Sequence, residues 1–275
     1  MKPEIIVLGS SGFIGKYLSN FLNKKLNKYK IIHFVKNSSK YLDVTDQNKL
    51  EKYIGENTKF IINFSGQNSK NTFKINKIGN DNIIKLLRAK NLNPIYIFAS
   101  STLVYKYNHK KILSEKTETR KISNNPYING KLNAERIIEQ SNLNYYILRF
   151  SNVYDFNFTN RNLIRKLALK NEIKINNLNI FRSYVNIIDI NRIILRLISK
   201  KFIKSEIFNI SNENLSIQDL VFLFQKYKKK KIKIFNNSKS LRKMNSQKIS
   251  NRKIKKFTNI KNLQKIEKAI KKFYL

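Results

Sequence analysis

The feature that most narrows the fold is a run of three glycines near the start of the chain. Only seven glycines occur in all. Gly9, Gly12 and Gly15 follow directly on a β-rich run, Glu4 to Leu8, and open a segment of helical periodicity, Phe13 to Leu26. Glycines let the backbone turn tightly and approach a pyrophosphate closely, and the helix start offers free N–H groups and the positive end of its dipole. The spacing, G-x-x-G-x-x-G, is one residue longer than the common dinucleotide fingerprint. Its place between a strand and a helix predicts a dinucleotide-phosphate site.

Further β-rich runs follow at Ile31 to Val35, Phe60 to Phe64, Ile95 to Ala99 and Tyr145 to Leu148. Helical periodicity falls between them, as at Asn82 to Lys90 and Tyr127 to Ser141. Strands alternating with helices predict an α/β fold, a Rossmann-like doubly wound parallel sheet. After Tyr154 the pattern is less regular, with helix-like Asn162 to Leu169, strand-like Phe181 to Ile187 and helix-like Leu263 to Phe273. The expected division is a cofactor-binding domain over 1–154 and a smaller C-terminal substrate lobe over 155–275, with segments crossing between them.

Composition narrows the chemistry. There is no cysteine, which excludes disulfides and cysteine-bound zinc, and the two histidines, His33 and His109, are too far apart in sequence to suggest a metal cluster. No metal site is expected. The apolar stretch Ile5 to Leu8 is too short for a signal peptide, and no apolar run approaches the roughly 20 residues of a membrane helix. The expectation is a cytoplasmic protein with no membrane partner. The net charge of +39 points towards nucleic acid. However, lysine, asparagine and isoleucine are spread along the whole length, and the densest run, Lys228 to Lys231, leads into Ile232-Lys233-Ile234, which alternates like a strand with one solvated face. No specific nucleic acid is expected as partner; attraction of anionic substrates is a by-product of the charge.

The strongest chemical signal is Tyr127-Ile128-Asn129-Gly130-Lys131. Residues four apart share a helix face, so the phenol and the ammonium can reach one cofactor. A nearby cation lowers a phenol's pKa from its free value of about 10, which would let Tyr127 exchange a proton with a substrate oxygen. Asn125-Pro126 fits a helix cap followed by a first-turn proline.

The segment Gly9-Ser10-Ser11-Gly12-Phe13-Ile14-Gly15 resembles the opening motif of extended short-chain dehydrogenases/reductases, the family of NAD-dependent epimerases and dehydratases. Other segments resemble that family's motifs in order. The resemblance implies cofactor contacts from Gly9, Ser11, Gly12, Phe13, Ile14 and Gly15, and from Asp43 and Val44 within Leu42-Asp43-Val44-Thr45-Asp46, where the Asp meets the adenine. It implies cofactor contacts also from the turn Phe64-Ser65-Gly66 and from Asn76, three residues before Gly79. At the end of the second strand, where NAD enzymes place an acidic residue, the alignment puts Lys36 and Asn37; a cation suits the 2′-phosphate, so NADP is favoured over NAD.

The same resemblance makes Ser101, three residues before Val104-Tyr105, a third catalytic partner beside Tyr127 and Lys131, and a substrate contact. Tyr127 and Lys131 then also touch the cofactor. Asn152, in Arg149-Phe150-Ser151-Asn152-Val153-Tyr154, and Arg182, in Arg182-Ser183-Tyr184-Val185-Asn186-Ile187-Ile188-Asp189, are the implied substrate contacts, although Asp155 replaces the usual glycine. Thr102 and Leu103 stand where sugar-nucleotide 4,6-dehydratases carry Asp-Glu, which argues against a dehydratase. The resemblance therefore implies an NAD(P)-dependent epimerase or reductase of a sugar or nucleotide sugar, working by hydride transfer, and leaves a homodimer open. A competing reading is a non-catalytic NAD(P)-binding regulator or RNA-binding protein, supported by the basic charge. The presence of Ser101, Tyr127 and Lys131 together weighs against it.

Overall fold

The computed structural model describes residues 1–34, 41–66, 71–106, 111–156, 163–200, 204–235 and 246–275. In chain order the strands and helices begin β1 (Glu4–Leu8), α1 (Phe13–Lys25), β2 (Lys30–His33), α2 (Gln47–Tyr53), β3 (Thr58–Asn63), α3 (Thr72–Ala89) and β4 (Ile95–Ser101). After a single 3₁₀ turn, Thr102–Val104, come β5 (Ile112–Leu113), α4 (Pro126–Glu139), β6 (Tyr145–Phe150), β7 (Asn152–Tyr154), α5 (Leu163–Leu169), β8 (Glu172–Lys174), β9 (Phe181–Asn186) and α6 (Ile187–Ile198). The chain ends with β10 (Glu206–Ile210), β11 (Glu213–Ser216), α7 (Ile217–Lys228), β12 (Lys233–Phe235), β13 (Lys248–Ile249), α8 (Arg252–Thr258) and α9 (Ile266–Tyr274).

The chain forms two compact units, Met1–Lys106 with Glu118–Arg149 and Ile194–Phe208, and Tyr107–Thr117 with Phe150–Ile193 and Asn209–Leu275. The first carries the six-stranded sheet, in the order β10-β6-β4-β3-β1-β2. Its β1–β2, β1–β3 and β3–β4 pairs are parallel, giving the doubly wound α/β architecture expected from the alternation. The strands are apolar on both faces, as parallel strands covered by helices must be: Ile5, Ile6 and Val7 of β1, and Ile61 and Ile62 of β3, are wholly buried. The chain runs from β1 outward to β2 and then back across to β3, so the order reverses between β1 and β3. In open α/β sheets, ligands bind at such a switch point, beyond the carboxyl ends of the strands.

The second unit has smaller sheets: β11-β9-β7, a β12-β8 pair and a β13-β5 pair. Its own core joins Tyr154, Ile164, Leu167, Leu220, Phe224 and Ile270. The alternating segment after Lys231 forms β12, with Ile232 buried and Lys233 exposed. Among the described residues no helix is long and apolar enough to cross a membrane.

One helix is much longer than its periodicity predicts. α3 starts at Thr72, not near Asn82, because the buried face of its first half is polar: Thr72, Asn76, Gly79 and Asn80 replace the apolar stripe.

Candidate active site

The switch point is built by two turns pressed together. Phe64 N–H donates to the Leu8 carbonyl at 2.9 Å. Gly9 takes φ +73°, and a Cβ there would stand 2.6 Å from the Phe64 carbonyl carbon and 2.7 Å from Ser65 N. Only glycine meets both the dihedral and the spacing. Ser10, which the sequence argument passed over, ties this turn to the end of β2: its hydroxyl donates to the Phe34 carbonyl at 2.8 Å and accepts from Phe34 N–H at 2.7 Å. Gly12 is the N-cap of α1 with no side-chain cap, and a Cβ on it would meet only the Gly9 carbonyl oxygen, at 3.2 Å. A helix start bare of side-chain caps, with an open glycine surface, is an anion cradle and fits a dinucleotide's phosphates.

The turn after β3 is held from below by a buried polar chain. Asn63 Oδ1 accepts from Ser65 N–H at 2.9 Å, and Asn63 Nδ2 donates to the Tyr96 hydroxyl at 2.8 Å. Tyr96 in turn donates to Asn80 Oδ1 at 2.7 Å. Burial pushes the Tyr96 phenol far above its ordinary value, so it acts as a fixed hydrogen-bonding post. Asn76 Nδ2 donates to the Thr72 carbonyl at 2.8 Å, and its amide lies where a side chain on Gly66 would be. Asn76 Oδ1 is buried with no hydrogen-bond partner among the described residues. An orphaned acceptor beside the turn fits a polar ligand group.

Asp43 spends Oδ1 on Thr45, accepting from its N–H at 2.9 Å and its hydroxyl at 2.8 Å, while Val44 is buried against Gly79. Lys36 lies outside the described residues.

The reacting groups sit on α4 and at the end of β4. Asn125 caps the helix, accepting from Tyr127 N–H at 2.9 Å, with Pro126 in the first turn. Gly130, between Tyr127 and Lys131, lets α4 lie directly on α3, since a Cβ there would be 3.1 Å from Phe73 Cα and 3.3 Å from Asn76 Cβ. Ser101, at the end of β4, is near enough to Tyr127 to pull its phenol down against burial. Lys131 is buried one turn on, with Nζ 5.9 Å from the Tyr127 ring centroid, and donates to the Ala99 carbonyl at 2.6 Å. The fold thus brings Ser101, Tyr127 and Lys131 together.

Their electrostatics depart from the sequence expectation of a lowered phenol. Burial holds the Tyr127 phenol above its ordinary value, and Ser101 offsets this only in part. Burial also pushes the Lys131 ammonium down to about 7, with Glu135 pulling it back up. The reason is geometric: Lys131 is aimed at Ala99, and its charge is weakened by the same burial that raises the phenol.

Residues 5–211 match the model of the NAD dependent epimerase/dehydratase family. The chain belongs to that family. The GDP-6-deoxy-D-talose 4-dehydrogenase of Aggregatibacter actinomycetemcomitans is 28% identical over 223 residues, covering 75% of this chain and 74% of that protein. Two solved structures have the same fold. RMD from Pseudomonas aeruginosa, complexed with NADPH, superposes with a TM-score of 0.82 at 19% identity, covering 98% of this chain and 97% of that one. UDP-glucose 4-epimerase from Bifidobacterium longum, in complex with NAD+ and UDP, gives 0.81 at 18% identity, covering 98% and 96%.

Within the second unit of this epimerase/dehydratase family member, Asn152 and Arg182 line one small cleft with Val153, Tyr154, Leu163, Ile164 and Tyr184. Asn152 Nδ2 is engaged, donating to the Ser183 carbonyl at 2.9 Å. Burial raises the Tyr184 phenol to about 12, with Arg182 acting against the rise. The cleft is mainly apolar, and a cation in its wall can hold an anionic group.

Sequence reasoning missed the supporting residues: Ser10, Asn63, Asn80 and Tyr96 in the cofactor half, and Ser100, Glu135 and Arg149 behind the reacting groups. Glu135 had a signal, since it stands four residues after Lys131 and so shares its face.

Proposed function

We propose that this protein is an NAD(P)-dependent epimerase or oxidoreductase that works on a sugar or nucleotide sugar, with Ser101, Tyr127 and Lys131 as its proton-handling site. The observation that carries this reading is the pairing of Tyr127 with buried Lys131 one turn apart on α4, with Lys131 Nζ 5.9 Å from the Tyr127 ring centroid and bonded to the Ala99 carbonyl, close to Ser101 at the end of β4. Gly9, Ser11, Gly12, Phe13, Ile14 and Gly15, the turn Phe64-Ser65-Gly66, Asp43, Val44 and Asn76 would hold the dinucleotide, with Lys36 favouring NADP. When bound, the nicotinamide accepts or supplies a hydride at a sugar carbon. Tyr127 takes the proton from the sugar hydroxyl during oxidation, or returns it during reduction. Ser101 hydrogen-bonds the same oxygen and fixes its position against the phenol. Lys131, when protonated, stabilises the phenolate.

The second unit serves as the substrate lobe, with Arg182 meeting an anionic group and Asn152 a polar one. The relative named as a GDP-6-deoxy-D-talose 4-dehydrogenase supports a nucleotide sugar oxidised or reduced at C4. The overall positive charge supports an anionic substrate. Thr102 is buried and Leu103 is apolar, so neither supplies the acid–base pair that water elimination needs. The test is to offer the purified chain GDP-6-deoxy-D-talose and UDP-glucose, with and without added NADP+ or NAD+. Oxidation that consumes added cofactor identifies a dehydrogenase, and C4 inversion without net consumption identifies an epimerase. No turnover of either, nor of other nucleotide sugars or their 4-keto forms, contradicts the proposal.

A further inference from the structure

Behind the reacting groups lies a buried ion pair that the reaction as described does not use. Glu135 and Arg149 are 3% and 4% exposed. Their bond is a bidentate fork, with Arg149 Nε donating to Glu135 Oε1 at 3.0 Å and Nη2 to Oε2 at 2.7 Å. The Ser100 hydroxyl also donates to Glu135 Oε1, and the Arg149 guanidinium lies 4.8 Å from the centre of the Tyr105 ring. A buried pair of this kind brings little net stability, because desolvating two charges offsets most of their attraction. Its position indicates another role. Glu135 is one helical turn beyond Lys131 on α4, and Ser100, which it grips, is the β4 neighbour of Ser101.

We propose that Glu135 is a positioning residue for the reaction: clamped by Arg149 and Ser100, it holds the end of β4 in register with α4 and keeps a proton on the Tyr127–Lys131 pair. This rests on the reading of Tyr127 and Lys131 given above. The groups placed around Lys131 among the described residues come from α4, β4 and β6, with α3 packed on the other side of Gly130. Tyr127 lies on α4 on one side, with Glu135 and then Glu139 on the other. From β4 come the Ala99 carbonyl and the Phe98 ring at 4.7 Å, with the Ser100 hydroxyl on Glu135. From β6 comes Arg149, behind Glu135.

Glu135 is the negative charge that opposes the loss of the Lys131 proton, since burial alone pushes that ammonium down. Tyr127 stands beside Lys131, with Nζ 5.9 Å from its ring centroid, so a carboxylate on the same helix face opposes the loss of a proton from either group. Removing it shifts both limbs of a pH–rate profile to lower pH. Arg149 works against Glu135 and sets how strongly it acts.

The experiment uses the full chain and three variants: E135Q, E135D, and E135Q/R149M, which leaves no unpaired buried charge. Lys131 is titrated by NMR in protein carrying ¹³Cε-lysine, its signal assigned by absence from K131M. The same proteins are assayed for oxidation of GDP-6-deoxy-D-talose from pH 5.5 to 10. The Lys131 midpoint, and with it the pH profile, should fall by about one pH unit or more in E135Q, where Arg149 is unopposed, and by about half a unit in the double variant. E135D should restore most of the wild-type midpoint. An unmoved midpoint in the folded double variant overturns the proposal, as does an E135D that behaves like E135Q. If neither glutamine variant folds, the pair is a fold anchor and the proposal falls. The NMR readout separates this inference from the one beneath it. Near-normal turnover in Y127F sinks the reaction scheme, whereas an inactive Y127F with an unmoved Lys131 midpoint sinks only the role of Glu135.

Discussion

Two glycines of one motif do different work, and alanine at each should separate them. At Gly9 the backbone has φ +73°, which costs an L-residue about 1–2 kcal/mol. The added Cβ would stand 2.6 Å from the Phe64 carbonyl carbon and 2.7 Å from Ser65 N. Both are main-chain atoms of a neighbouring turn that can yield only by moving, a cost of about 1–3 kcal/mol. G9A should therefore destabilise by roughly 2–5 kcal/mol, or about 4–20 °C in melting temperature. At Gly12 φ is −77°, and a Cβ meets only the Gly9 carbonyl oxygen at 3.2 Å. G12A should cost under about 1 kcal/mol of stability. Its methyl, however, stands on the open side of the cradle, where a pyrophosphate would approach, and NADPH affinity should fall by about tenfold or more, about 1.4 kcal/mol. Thermal unfolding by circular dichroism, paired with nicotinamide fluorescence titration, reads both quantities. A G12A protein that binds NADPH as the parent does would refute the placement of the phosphates. A G9A protein that melts like the parent would refute the account of the switch point.

Lys36 leads to tighter binding of NADPH than of NADH; a tenfold preference for NADH, read by the same titration, contradicts it. Tyr96→Phe leaves the buried Asn63 donor and the Asn80 acceptor without their shared partner, and should cost about 1–3 kcal/mol in chemical denaturation. An unchanged midpoint would mean that the Asn63–Tyr96–Asn80 chain does not hold the turn after β3.

The sheet was legible because its strands are short apolar runs between helical segments, and because Gly9, Gly12 and Gly15 fall at the one strand-to-helix junction where their spacing has meaning. The first half of α3 was not, since Thr72, Asn76 and Asn80 point inward to a polar network that exists only once β3 and β4 are beside them. Tyr127 and Lys131 could be paired by helical spacing alone. The direction of the Tyr127 shift could not be foreseen. A tyrosine's pKa follows from how deeply it is buried and where the lysine points, and the sequence records neither. Glu135 is visible as the next residue on the Lys131 face. Arg149 comes from a different element, 14 residues on, and meets it only through the packing of β6 beneath α4.

The most direct test of the account is a comparison of Tyr127→Phe with Lys131→Met in cofactor affinity and turnover. The first substitution removes only the phenolic oxygen, so NADPH should bind as in the parent while turnover on the true substrate falls by about 10²- to 10⁴-fold. The second should lose turnover and cofactor affinity together, because the resemblance gives Lys131 contact with the cofactor as well as with the phenol's charge. Turnover within a few-fold of the parent for Tyr127→Phe would contradict the proposed proton path, even with the fold and the dinucleotide site intact.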